Sequence, residues 1–228
     1  MGCLSACSIG ARWAASSSRD GLTLVPPGGA AQAVLREMWF GSPAIWTPPP
    51  ISNTDIQFFD VSGSTQAKLI ASLKKAAICD THKCLPDPAV PPGGTYLGLS
   101  GLESPASWST PYCYSPKTMT LQFRTYILLP RWSPVPVGGV TITLIEKWNA
   151  LEHVIYTHEA GHIAIDVEDL AALNDQAHLS PSCTALFAFW GNPAVFDKLD
   201  ADQNAYHARL RADCRPEIGC IPPGWMGW

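Results

Sequence analysis

The chain has 228 residues, 46% of them hydrophobic and 15% charged, a balance that suits one globular domain with flanking segments and argues against a disordered polyelectrolyte. Its formal net charge is −4 and its pI is near 5.8; with no basic block anywhere, nucleic acid is not an expected partner. No run of about 18 apolar residues occurs, so no transmembrane segment is expected.

Residues 1–50 carry Ser, Gly and Pro clusters (VPPGG, TPPP) with little periodicity and read as a disordered tail or leader remnant. The Met-Gly-Cys start is similar to a lipid-anchor site, although Ala6 stands where myristoylation wants Ser or Thr. The folded domain is expected over 51–228. Its first element is a strand in TDIQFFDV, closed by the turn-prone SGS. A helix follows in STQAKLIASLKKAAIC, capped by Ser64, with Leu69, Leu73 and Ala76 on one face. Residues 79–116 are rich in Pro, Gly and Ser, with a short strand in TYLGLS. The alternation of Met119, Leu121, Phe123 and Tyr126 then predicts one long strand over 117–130, ended by Pro130.

Beyond the PVPVGG turn the periodicity becomes helical from about Leu144, with Trp148, Leu151 and Ile155 on one stripe, and Pro181 marks the end of that region. A last helix is expected in PAVFDKLDADQNAYHARLRADC, with Pro193 near its start. Strands before helices suggest an α+β domain: a small antiparallel or mixed sheet packed on a long helix and a C-terminal helix.

Eight cysteines stand at 3, 7, 79, 84, 113, 183, 214 and 220, with no C-x-x-C pair, so a zinc ribbon is unsupported. Cys79–Cys84 and Cys214–Cys220 are spaced as local loop staples, which leaves Cys113 and Cys183 to each other. This pairing implies an oxidising, extracytoplasmic compartment, secreted or at the cell envelope.

The chemistry concentrates in YTHEAGHIAID, residues 156–166. His158 and His162 lie four apart, on one helix face and about 6 Å from each other. Two imidazoles so placed grip one Zn²⁺, and Glu159 between them reaches a water at the ion without ligating it. Leu151, Ile155 and Ile165 share the histidines' face and turn it toward the core. Gly161 leaves room for a strand or substrate to come close.

A catalytic zinc needs a third protein ligand. Asp166 and Asp169 stand one to two turns past His162, beyond reach of the same ion. Asp166 suits orienting a ring N–H, and Asp169 reads as a solvated acid. The third ligand is expected from the last helix, where Asp200, Gln203 and His207 share a stripe. His207 is the first choice, with Asp200 and Asp213 as alternatives. Tyr206 suits either hydrogen bonding to an oxyanion or packing as an aromatic. His82, His153 and His178 lack the phase or the company and read as structural or surface residues.

The ordered set FFDVSGST, Cys113 before ILLPRW, a Trp-bearing helix (Trp148) with HEAGHIAI, Cys183 and QNAYHARL resembles the bacterial DUF922 family, grouped with the gluzincin-like metallopeptidases. The resemblance spans about residues 55 to 213. It implies a zinc-dependent peptidase fold, with His158 and His162 as ligands and Glu159 as base. The chain departs from the family pattern after Tyr206. His207 stands where the family has Asp, and the later Thr and His-Gly are missing around Ala212 and Asp213.

The expectation is therefore a disulfide-stapled zinc metallopeptidase acting on a peptide or protein substrate, with oligomeric state left open. The rivals are a zinc hydrolase of another amide, of cell-wall type, and a non-catalytic module with structural metal or none.

Overall fold

The computed structural model describes residues 44–75, 97–103, 106–133 and 140–213. Five strands and four helices lie in these residues: β1 (Thr54–Val61), α1 (Gln66–Lys75), β2 (Leu99–Leu102), β3 (Ser107–Trp108), β4 (Leu121–Gln122), β5 (Thr125–Trp132), α2 (Ile142–Ala177), α3 (Cys183–Trp190) and α4 (Asp197–Ala212). The fold is α+β, as the strand-then-helix order implies. Its main sheet has the order β1-β5-β2, and β3 and β4 form a separate two-stranded ribbon.

Strand β5 is the sheet's centre. It pairs parallel with β1 in the register Thr54↔Thr125 to Val61↔Trp132, and antiparallel with β2 from Leu99↔Leu128 to Leu102↔Thr125. All of β5 except Arg131 is buried, which is why it reads as an apolar run rather than as an alternating strand. Ile127, Leu129 and, near the strand's end, Trp132 pack into a core shared with Val61, Leu69, Leu73, Trp148, Leu151 and Ile155. Tyr126 and Leu128 face the other way, with Leu99.

Two expectations about this strand are corrected. It does not run unbroken from 117, because the chain leaves extended pairing at Phe123–Arg124. At the break the Phe123 carbonyl accepts from the Asn53 side chain at 2.8 Å, and the Asn53 carbonyl accepts from the Thr125 N–H at 3.2 Å. Nor does Pro130 end β5, which continues to Trp132. Pro130 lies past Leu128, the last β5 residue paired with β2, and a missing N–H is tolerated where a strand has an open edge.

Helix α1 is capped by Thr65, not Ser64: the Thr65 hydroxyl accepts from the Lys68 N–H at 3.3 Å. Leu69 and Leu73 are fully buried, as the pattern requires. Helix α2 is one unbroken helix of 36 residues, capped by Thr141 and about 54 Å long. Its first half packs on the sheet. Its second half carries Leu170, Leu173 and Ala177 into another core with Met119, Phe123, Leu186 and Trp190. Helix α3, capped by Ser182, is an element the sequence pattern had not separated.

The Cys113–Cys183 disulfide is present, with a Cα–Cα distance of 5.9 Å across a separation of 70 residues. The other two expected pairs, Cys79–Cys84 and Cys214–Cys220, lie outside the described residues. Residues 44–50, assigned above to the tail, belong to the domain. Asn149 accepts from the Trp46 N–H at 3.0 Å and donates to the Ala44 carbonyl at 2.8 Å. The Trp46 ring meets His153 and Tyr156 edge-on. Among the described residues, no helix is long and apolar enough to cross a membrane.

Candidate metal centre

Helices α2 and α4 build the site. His158 and His162 project from consecutive turns of α2, and His207 faces them from α4; the three share one cluster. The Nε2 atoms of His158 and His162 are 3.1 Å apart, and those of His162 and His207 are 2.9 Å apart. All three rings are buried or nearly so. Three nitrogens on a tetrahedral zinc at 2.0–2.1 Å would stand about 3.3 Å from one another; two of the three spacings match that figure, and the three ligand atoms all lie within 4.8 Å of one another. Among the described residues this cluster supplies three ligand atoms, the number of protein ligands that catalytic zinc sites use, where structural sites use four.

The sequence's first choice for the third position, His207, is the residue brought in. Its alternatives Asp200 and Asp213 are exposed and lie outside the cluster. The three remaining histidines separate as expected where they are described. His153 packs against Trp46, His178 ends α2 beside Thr120, and His82 lies outside the described residues.

The Glu159 carboxylate is held by the edge strand. Its Oε2 accepts a hydrogen bond from the Ser100 hydroxyl at 2.6 Å. A Cβ at Gly98 would come within 2.9 Å of its Oε1, so only glycine fits beside the carboxylate. Burial raises the carboxyl's pKa to about 7, and the Ser100 bond opposes that rise. A group titrating there holds or releases a proton readily at neutral pH.

Behind the ligands, the side chain of Gln203 lies between His162 and Asp166. Its Oε1 meets His162 Nδ1, and its Nε2 donates to Asp166 Oδ1 at 2.6 Å and to the His162 carbonyl at 3.1 Å. Asp166 therefore supports His162 through an amide rather than directly. Burial raises the Asp166 carboxyl to about 7; the Gln203 bond lowers it, and the charges of Asp169 and Asp200 raise it. Burial lowers the pKa of His162, against the Gln203 bond. Asp169 is not a solvated acid. It is buried and paired with Lys198.

Tyr206 packs as an aromatic, one of the two roles expected of it. Its hydroxyl donates to the backbone carbonyl of His158 at 3.2 Å, and a phenol has one proton to give. Its ring packs edge-on against His162, with centroids 4.8 Å apart. Burial, and secondarily the charge of Glu159, push the phenol up to about 12 while Arg209 opposes. Gly161 explains the fit: a Cβ there would overlap the Tyr206 ring and hydroxyl. The close neighbour that the glycine admits is thus helix α4, not a strand or substrate. Ser100 and Gln203, the hydrogen-bonding supports of the site, carry no ligand or nucleophile signature in the sequence and were not singled out for a role.

No family model matches the chain, and neither a curated protein nor a solved structure matches it.

Proposed function

We propose that the protein is a zinc-dependent hydrolase of amide bonds, a metallopeptidase of the H-E-x-x-H type like the DUF922 proteins it resembles. The observation that carries this reading is the convergence of three imidazole Nε2 atoms beside a buried carboxylate from the same motif. His158, His162 and His207 would hold the ion. Bound there, zinc supplies a Lewis acid and acidifies water. Glu159 accepts a proton from the attacking water and delivers it to the leaving amine. Ser100 keeps the carboxylate oriented during both transfers, and the Tyr206 hydroxyl braces the helix turn that carries His158. The disulfide favours an extracytoplasmic setting, secreted or at the envelope.

The metal-free rival is a triad of imidazoles sharing ring protons, for which the same spacings would serve. Zinc content separates the two. The purified chain is expected to carry one zinc per molecule by mass spectrometry and to hydrolyse an unstructured protein substrate. Chelation should abolish the hydrolysis and added zinc should restore it. Glu159→Gln should keep the metal and lose about 100-fold or more of the rate. Wild-type activity in that variant, or a wild type that never retains zinc, would overturn the proposal. Activity on cell-wall peptides but not on proteins would move the substrate and leave the mechanism in place.

A further inference from the structure

We infer that Gln203 is a positioning residue that locks His162 into one tautomer, with the ring proton on Nδ1 and the lone pair on Nε2; this rests on the metal-centre reading above. One end of the Gln203 side chain is within 3.1 Å of the backbone carbonyl of His162. A backbone carbonyl is an acceptor and nothing else, so that end is the NH₂ group whatever proton Asp166 carries. The other end is then the amide oxygen, and it faces His162 Nδ1. An amide oxygen also only accepts, so Nδ1 carries the hydrogen. A neutral imidazole has one N–H, which leaves Nε2 bare. Nε2 is the atom turned toward His158 and His207.

The placement follows from helix spacing. His162 and Asp166 are one turn apart on α2, and Gln203 and His207 are one turn apart on α4. Consecutive turns of α4 therefore deliver a ligand and the support of another ligand. A carboxylate at 203 would accept from Nδ1 but could not also donate to the His162 carbonyl. Glutamine does both, and Asp166, at 2.6 Å from its Nε2, holds the amide from behind.

The test pairs metal affinity with a direct view of the ring. Long-range proton–nitrogen spectra of the metal-free wild type are expected to show His162 as the Nδ1–H form. Gln203→Leu should show both tautomers and bind zinc about 10- to 100-fold more weakly in competition with a chelator of known affinity. Gln203→Glu, which keeps the acceptor, should hold the Nδ1–H form. Circular dichroism checks that each variant is folded. An Nε2–H ring in the wild type, or a folded Gln203→Leu variant with wild-type zinc affinity and tautomer, would overturn the inference. A wild type that binds no zinc but shows the Nδ1–H ring would sink the metal reading and leave the Gln203 assignment standing.

Discussion

His162 and His207 are 45 positions apart in the chain, yet their Nε2 atoms stand 2.9 Å from each other. That contact joins the motif helix to the last helix, and it makes the proposed third ligand a property of the tertiary fold. Replacing His207 with Ala is therefore expected to lower zinc affinity as severely as His162→Ala, although only His162 belongs to the H-E-x-x-H pattern. Equilibrium dialysis against a chelator measures it. Near-wild-type zinc retention in His207→Ala would show that the third ligand comes from elsewhere.

The Ser100–Glu159 bond gives a second prediction. The serine sits on β2, the edge strand, and its hydroxyl is the sole side-chain donor seen on Glu159 among the described residues. Ser100→Ala leaves the carboxylate buried but unanchored. Zinc content should be unchanged and the hydrolytic rate should fall about 10-fold, the scale of one lost hydrogen bond to a charged group. The loss should appear in kcat more than in KM, because the bond steadies proton transfer and not substrate. A KM change with kcat intact would place Ser100 in substrate binding.

Gly161 tests how tightly the two helices meet. Ala is the better helix former by about 1 kcal/mol, so on an open helix face Gly161→Ala would stabilise. Here the new methyl would collide with Tyr206, and pushing α4 away costs about 1–3 kcal/mol. Net destabilisation is expected in denaturant unfolding, together with weaker zinc binding, since His207 moves with Tyr206. A more stable variant would show that the Tyr206 ring yields easily.

Much of this site was legible because regular spacing carries its own geometry. The i, i+4 histidines needed only a helix, and the stripe of Trp148, Leu151 and Ile155 supplied one. The partner stripe of Gln203 and His207 could be read the same way. What could not be read was which polar side chains hold the ligands. Gln203 and Ser100 look like ordinary surface residues until a second element meets them. The break at Phe123–Arg124 was hidden for a related reason. Only the three-residue step from Phe123 to Tyr126 marks it, and the partner of the Phe123 carbonyl, Asn53, lies 70 positions away. Tyr206 was legible as a residue near the site, but the direction of its hydroxyl depends on how closely Gly161 lets α4 approach.

Glu152, two turns before the motif and 2% exposed, yields the last prediction. Burial raises its pKa from 4.5 to about 8, against the opposing effect of the Trp148 indole beside it. The folded state thus holds a proton that the unfolded chain releases near 4.5. Wherever the folded form binds the extra proton, stability falls as pH rises. The acid form's advantage is present in full at the low end of this window and is lost by about pH 8. Glu159 and Asp166, both raised to about 7 by burial, tilt the metal-free curve in the same direction, so the informative quantity is the difference between variants. Glu152→Gln keeps the shape and removes the titration. Its unfolding free energy should exceed the wild type's at about pH 8 and converge toward it near pH 5, with a flatter profile between, as measured by urea denaturation of the metal-free proteins. Parallel profiles would mean that Glu152 is ionised in the fold and neutralised by a partner outside the described residues.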